Sequence, residues 1–162
     1  MGLNQSWYID ERMDPEKATR AACRYLRSLY SMFGDWEMAL AAYNTGPGNV
    51  RKAIRRSGYK KTFWEVYNYL PRETRSYVPQ FVAMIYTLKY TDEHNFNLNE
   101  IELRYPIEHD TIWVSNYMHM ETLANQINLC EDDLLLLNPQ IIRGAIPEKT
   151  VNYPLKVPQD LV

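Results

Sequence analysis

Residues 39–50, "ALAAYNTGPGNV", decide how the first half of this chain folds. Alanines at 39, 41 and 42 make a helix that a neighbour can approach closely. Asn44 and Thr45 end it, Gly46 and Gly48 permit backbone angles that other residues resist, and Pro47 presets the next helix. So tight a corner lets another molecule come near the backbone. It presents Tyr43 and Asn44 at a concave seam between helices, where amides and hydroxyls of a ligand can bond them. The same spacing also suits a plainer corner, with Tyr43 as packing and Asn44 as a C-cap. A DNA-binding helix-turn-helix is a third reading, since "RKAIRR" follows the turn. No set of amides and bidentate arginines for base edges accompanies it.

Outward from the corner, the punctuation predicts short, tightly connected helices. "DPEKATRAACRYLRSLYSMF" opens with Asp14 as N-cap and Pro15 at the first helical position. Its apolar residues recur at three- and four-residue steps from Ala18 to Phe33, the pattern of one buried helix face. Cys23 is expected within that stripe as a small buried hydrophobe. Gly34 stops the helix and Asp35 caps the alanine helix. "TFWEVYNYL" predicts a short aromatic helix, and "PRETRSYVPQFVAMIYTLKY" a long one interrupted by Pro79. From residue 110 the texture changes: "DTIWV" reads as a strand, "METLANQINL" and "CEDDLLLLN" as helices, and "NYPLKVP" as a closing strand. The expected fold is mainly α, a helical domain at 1–90, a linker at 91–109 and a small βααβ unit at 110–158.

The bulk numbers agree with this division. Residues 1–90 carry 14 Lys/Arg against 8 Asp/Glu, and residues 91–162 carry 4 against 12, so a basic unit precedes an acidic one. With 46% hydrophobic residues the chain can build real cores. No apolar run is long enough to span a membrane, and "MGLNQSWYID" has neither the basic nor the apolar region of a signal peptide. Cys23 and Cys130 are far apart, and His94, His109 and His119 share no ligand spacing, so neither a metal nor a cofactor is expected.

"ALAAYNTGPGNV" resembles the A-Y-N-A-G-P-G motif of lytic transglycosylases with a goose-lysozyme-like fold, with Thr45 in place of the usual alanine. "LPRETRSYVPQFVA" is similar to the family's P-x-E-T-x-x-Y-V segment, and residues 7–36 resemble the stretch before the corner in the membrane-bound type D enzymes. The resemblance implies a partial lysozyme-like domain that acts on peptidoglycan, alternating N-acetylglucosamine and N-acetylmuramic acid. In that family a glutamic acid protonates the bridging oxygen. The muramoyl C6 hydroxyl then attacks its own C1 and leaves a 1,6-anhydro sugar. Carried over residue by residue, the substrate groove would hold Tyr43 and Asn44, the corner residues Gly46, Pro47 and Gly48, and Glu73 and Tyr77 of the long helix. On their own, Tyr77 reads equally as core and Glu73 as a solvated neighbour of Arg75.

The family's acid precedes a serine, with a G-L-x-Q motif after it, and the resemblance places both ahead of Met1. Gly2-Leu3 is present, but no Glu-Ser pair occurs in the sequence. No catalytic residue is therefore assigned, and the chain alone is expected not to turn over. The alternative is a non-catalytic peptidoglycan-binding protein. Apolar faces normally covered by the early helices would be left for self-association. The implied location is the bacterial envelope, with glycan strands as partner and no nucleic acid.

Residues 112–158 resemble a LysM module. Leu123-Ala124 match its first helix, Leu134, Leu137 and Asn138-Pro139 its second, and "PLKVP" its last strand; "SNYMHM" replaces the usual G-D-T. The resemblance implies that any N-acetylglucosamine chain would lie along residues 116–119 and 140–143. A purely structural role is the other reading of this unit.

Overall fold

A computed structural model describes residues 2–96 and 108–159. Most of the expected linker, residues 97–107, lies outside them. The chain divides into two compact units, one formed by Ala22–Ile101 and the other by Met1–Ala21 together with Glu102–Val162. The mainly α class expected from the sequence is what the elements show, with two small antiparallel sheets.

In the helical unit, α1 (Pro15–Phe33) runs from Ala22 to its stop at Gly34. Gly34 has φ 71°, a left-handed angle that favours glycine, and its N–H reaches the Tyr30 carbonyl at 2.7 Å. Asp35 then caps α2 (Trp36–Thr45) by accepting from the Met38 amide at 2.8 Å. Helix α2 is the centre of the unit: Met38, Ala39, Ala41 and Ala42 are completely buried. Three small side chains let α3 (Pro47–Arg56) and α5 (Arg72–Lys89) pack directly onto its backbone. Between those two, α4 (Phe63–Val66) continues as a single 3-10 turn, Tyr67–Tyr69. Leu29, Met38, Val50, Phe63, Val66 and Val78 belong to one core.

Cys23 corrects an expectation, because it is exposed. The buried and half-buried positions of α1 run through 18, 22, 25, 29 and 33, and position 23 falls between these rungs.

In the α+β unit, β1 (Asp110–Val114) pairs antiparallel with β4 (Tyr153–Val157), with Ile112 opposite Leu155. Helices α6 (Met120–Gln126) and α7 (Glu131–Leu137) cover the pair. Met120, Leu134, Ile146 and Leu155 are fully buried in its core. A second, two-residue pair joins β2 (Met118–His119) to β3 (Ala145–Ile146). Asn138 does more than end α7. Its amide nitrogen donates to the carbonyls of Leu134 (2.9 Å) and Lys156 (2.7 Å), and its oxygen accepts from the Lys156 amide at 2.9 Å.

The first fourteen residues also belong to this unit. Ser6 to Ile9 form a tight turn, closed by the Ser6 amide on the Ile9 carbonyl at 2.7 Å. Ile9 then bridges antiparallel to Ile141, the Asp10 amide donates to the Gln140 carbonyl (2.8 Å), and the Ile142 amide donates to the Tyr8 carbonyl (2.9 Å). The Arg143 guanidinium lies 4.5 Å from the centre of the Trp7 ring. Asp10 is buried and forked by Arg12 at 2.6 and 2.8 Å, which holds its carboxyl below the ordinary carboxylate range. Asp14 caps α1 as expected, accepting from the amides of Glu16 (2.9 Å) and Lys17 (3.0 Å). Burial raises the Tyr153 phenol above its usual value. Among the described residues no helix is long and apolar enough to cross a membrane.

Candidate functional site

The corner between α2 and α3 turns on Gly46. Its N–H closes α2 on the Ala42 carbonyl at 2.9 Å, and its own carbonyl accepts from the Asn49 and Val50 amides at 3.2 and 3.4 Å. One residue thus ends a helix and starts the next, at φ 87° and ψ 145°. An added Cβ would meet nothing within 4 Å, so the backbone angle, not crowding, calls for glycine. Pro47 supplies the first helical residue without needing a donor, and Gly48 is exposed on the opening turn of α3. Thr45, the departure from the family motif, is used locally: Asn49 donates to its carbonyl at 2.8 Å and its hydroxyl at 3.2 Å.

Asn44 is held at both ends of its amide. Its nitrogen donates to Glu73 Oε1 at 3.2 Å, and its oxygen accepts from the Thr74 hydroxyl at 2.8 Å. The two bonds fix which way the amide faces and tie the end of α2 to the first turn of α5. Tyr43 stands beside it, 39% exposed, with its ring tilted against Tyr25 at 5.9 Å. Glu73 is exposed, and its second carboxylate oxygen has no hydrogen-bond partner among the described residues. Tyr77, one turn further along α5, is half-buried at the edge of the core and stacks on Phe81 at 6.5 Å. Asn44 and Glu73 are therefore in direct contact, whereas no hydrogen bond joins Tyr43 or Tyr77 to either among the described residues.

Sequence reasoning missed Thr74. It is completely buried, one turn before the buried Val78 on the core side of α5. A hydroxyl at an apolar rung needs a partner, and that rule was the available signal. Close by on the same unit, a trough of ≈ 370 Å³ runs between α2, α4 and α5, lined by Glu37, Trp64, Val78, Val82 and Tyr86. Its walls are aromatic and aliphatic, with one carboxylate. Among the described residues no cluster of His, Cys, Asp or Glu suits a metal ion.

The four letters Gly2-Leu3-Asn4-Gln5 spell G-L-x-Q, yet the fold uses them as a hairpin arm. The Asn4 amide donates to Glu11 Oε2 at 2.7 Å, and Gln5 bridges Asp10. In the LysM-like unit the expected glycan loop is already engaged. Gln140 and Ile141 are buried, and the Gln140 carbonyl and Ile142 amide are taken by Asp10 and Tyr8. That pairing favours a structural role for residues 140–142.

Comparison with known proteins places both halves. Residues 1–65 match the transglycosylase SLT domain family, and residues 108–162 match the family described as the LysM-like domain of lytic transglycosylase MltD. Both matches are to parts of lytic transglycosylases. It is 39% identical over 101 residues to membrane-bound lytic murein transglycosylase D of Escherichia coli K12, covering 60% of this chain. The same protein from strain O6:H1 aligns equally well. A putative tributyltin chloride resistance protein of an Alteromonas species is 47% identical over 49 residues, 30% of this chain and 23% of its own length. The chain spans 22% of the length of the E. coli transglycosylases it matches. In this chain the corner motif and the E-T segment meet in space through Asn44, Glu73 and Thr74.

Proposed function

We propose that the helical unit supplies part of a peptidoglycan groove in which glycan strands are cleaved without water to 1,6-anhydro-muramoyl ends. The observation that carries this reading is the doubly held Asn44 amide at a glycine-proline corner, beside a partly exposed tyrosine. An N-acetylated sugar offers an amide and hydroxyls. A fixed asparagine, a phenol and a free carboxylate oxygen are complementary to them in donor and acceptor type. Glu73 is assigned to holding Asn44 rather than to proton delivery, because one of its oxygens already accepts from that amide. The proton must come from a group within hydrogen-bond reach of the bridging oxygen. In the family that group is the glutamate of the Glu-Ser pair, which the 162 residues do not contain. Location in the bacterial envelope follows from the proposed substrate and from the membrane-bound relative.

The expected result is binding without turnover by this chain alone. Chitooligosaccharide should shift the NMR signals of Tyr43 and of the Asn44 side chain, and Asn44→Ala should weaken binding by about tenfold. No anhydro-muropeptide should appear on incubation with peptidoglycan. Appearance of that product would overturn the assignment of no catalytic residue, and failure of any glycan to perturb the corner would overturn the groove itself.

We also propose that the exposed side of α5 meets a second copy of the chain. Val82, Met84, Ile85 and Leu88 are about half exposed or more, and residues 76–88 carry no Asp, Glu, Lys or Arg. Two such helices meet with no like charges opposed, and a patch of this kind is unusual on a monomer. Light scattering should give a mass that rises with concentration, and Ile85→Glu should return it to the monomer value. A constant monomer mass for the wild type would refute the association.

A further inference from the structure

Beside the first turn of α5, on the side that does not hold Asn44, lies a cavity of ≈ 440 Å³ lined by Tyr67, Arg72, Arg75 and Ser76. The two arginines are three residues apart on one helix and so lie on neighbouring rungs of one face. Neither guanidinium forms an ion pair among the described residues. Arg75 Nε is buried and has no hydrogen-bond acceptor. A buried donor on a permanent cation is costly to leave unmade, which makes it unusual in a folded protein. The guanidinium is kept in place by the Tyr67 ring, whose centre is 5.8 Å from its central carbon. Pro71 gives α5 no side-chain cap, so the helix end that carries Arg72 and Arg75 has a positive potential of its own. Ser76 spends its proton on the Glu73 carbonyl at 2.9 Å.

We propose that this cavity is a carboxylate-binding site in which Arg72 and Arg75 hold an acidic group of the peptide carried by the glycan. The proposal rests on the groove reading above and adds the part of the substrate that the corner does not address. A guanidinium and a carboxylate are both planar and join through two parallel N–H to oxygen bonds, and Arg75 has its Nε–H free for one of them. Glu73 and Thr74, on the intervening positions of the same turn, serve Asn44. One turn of α5 thus faces the sugar contact with two residues and the cavity with three. The glycan reading selects carboxylate over phosphate, because N-acetylmuramic acid carries its peptide on a lactyl carboxyl and the free ends of that peptide are carboxylates. The excess of 14 basic over 8 acidic residues in positions 1–90 favours approach of such a substrate.

The test uses the isotope-labelled 162-residue chain and follows the Arg75 Nε–Hε signal during titration. The ligands are a muramyl peptide with free carboxylates, the same compound fully amidated, inorganic phosphate, and neutral chitotriose. The free acid is expected to shift the signal and the amidated form to leave it in place. Arg75→Lys keeps the charge but loses the fork, and should weaken acid binding on the order of tenfold. Arg72→Gln, at an exposed position where folding is not at stake, should weaken it several-fold. Equal response to the amidated compound, phosphate binding as tight as the acid, or unchanged affinity in both variants would overturn the proposal. Chitotriose separates the two readings. If it perturbs Tyr43 and Asn44 while no acid reaches Arg75, the groove stands and the carboxylate site falls.

Discussion

Replacing Asn138 by alanine is expected to destabilise the α+β unit by about 3 kcal/mol, an effect large enough to leave a small unit partly unfolded. Asn138 has no exposed surface, and its amide does the work of a missing strand. It pairs with both backbone groups of Lys156 in β4, at 2.7 and 2.9 Å, and closes the end of α7 on Leu134 at 2.9 Å. Alanine removes these three bonds and the longer one from Gln140 Nε2 at 3.5 Å, and leaves the Leu134 carbonyl and both Lys156 backbone groups without their Asn138 partners. Asn138→Asp is a sharper probe. It retains an acceptor for the Lys156 amide, loses both donations, and places a carboxylate in a site with no exposure, so it should be no milder than alanine. Denaturant unfolding gives the magnitude, and hydrogen exchange at the Lys156 amide gives the location. A loss under about 0.5 kcal/mol would mean that water or a neighbouring group takes over the pairings.

The same residue shows how much of the fold could be read beforehand. Asn138-Pro139 marks a helix end in any sequence, and that much was legible; its service to β4, eighteen positions along, leaves no local trace. Gly46 and Pro47 were legible for the reason that Asn138's stop was: their backbone preferences act on their own neighbours. The pairing of Ile9 with Ile141 was not, since the two lie at opposite ends of the chain and the hairpin at residues 4–11 has no periodic pattern. Its effect is that residues 1–21 pack with the C-terminal unit, whereas the resemblance groups them with the helices that follow. Strands β2 and β3 are two residues each, too short for alternation to show. At the site, the motif brought Tyr43, Asn44, Glu73 and Tyr77 to notice together. Contact between Asn44 and Glu73, and the hidden role of Thr74, depend on how α5 is rotated against α2, which spacing along either helix does not specify.

Phe63→Ala is expected to cost the helical unit about 3–5 kcal/mol, the range for deleting a fully buried aromatic ring. Phe63 is the largest completely buried side chain of the protein's described residues, and it lies where a single turn of helix has little else to hold it. Its ring meets Trp64 and Tyr67 edge-on, with centres 5.1 and 5.7 Å apart. Tyr67 in turn supports Arg75 and walls the proposed carboxylate cavity, while Trp64 lines the apolar trough. Loss of the ring should therefore affect more than stability. Under conditions where the variant is still folded, the Arg75 Nε–Hε signal should move, and the Asn44 side-chain signals, held by Thr74 and Glu73 on another face of α5, should not. Phe63→Leu refills most of the volume and should cost about 1.5 kcal/mol at most. If alanine and leucine destabilise equally, the ring's edge contacts matter more than the space it fills. If Asn44 responds as strongly as Arg75, the two faces of α5 are not independent, and the sugar contact and the peptide contact would have to be treated as a single site.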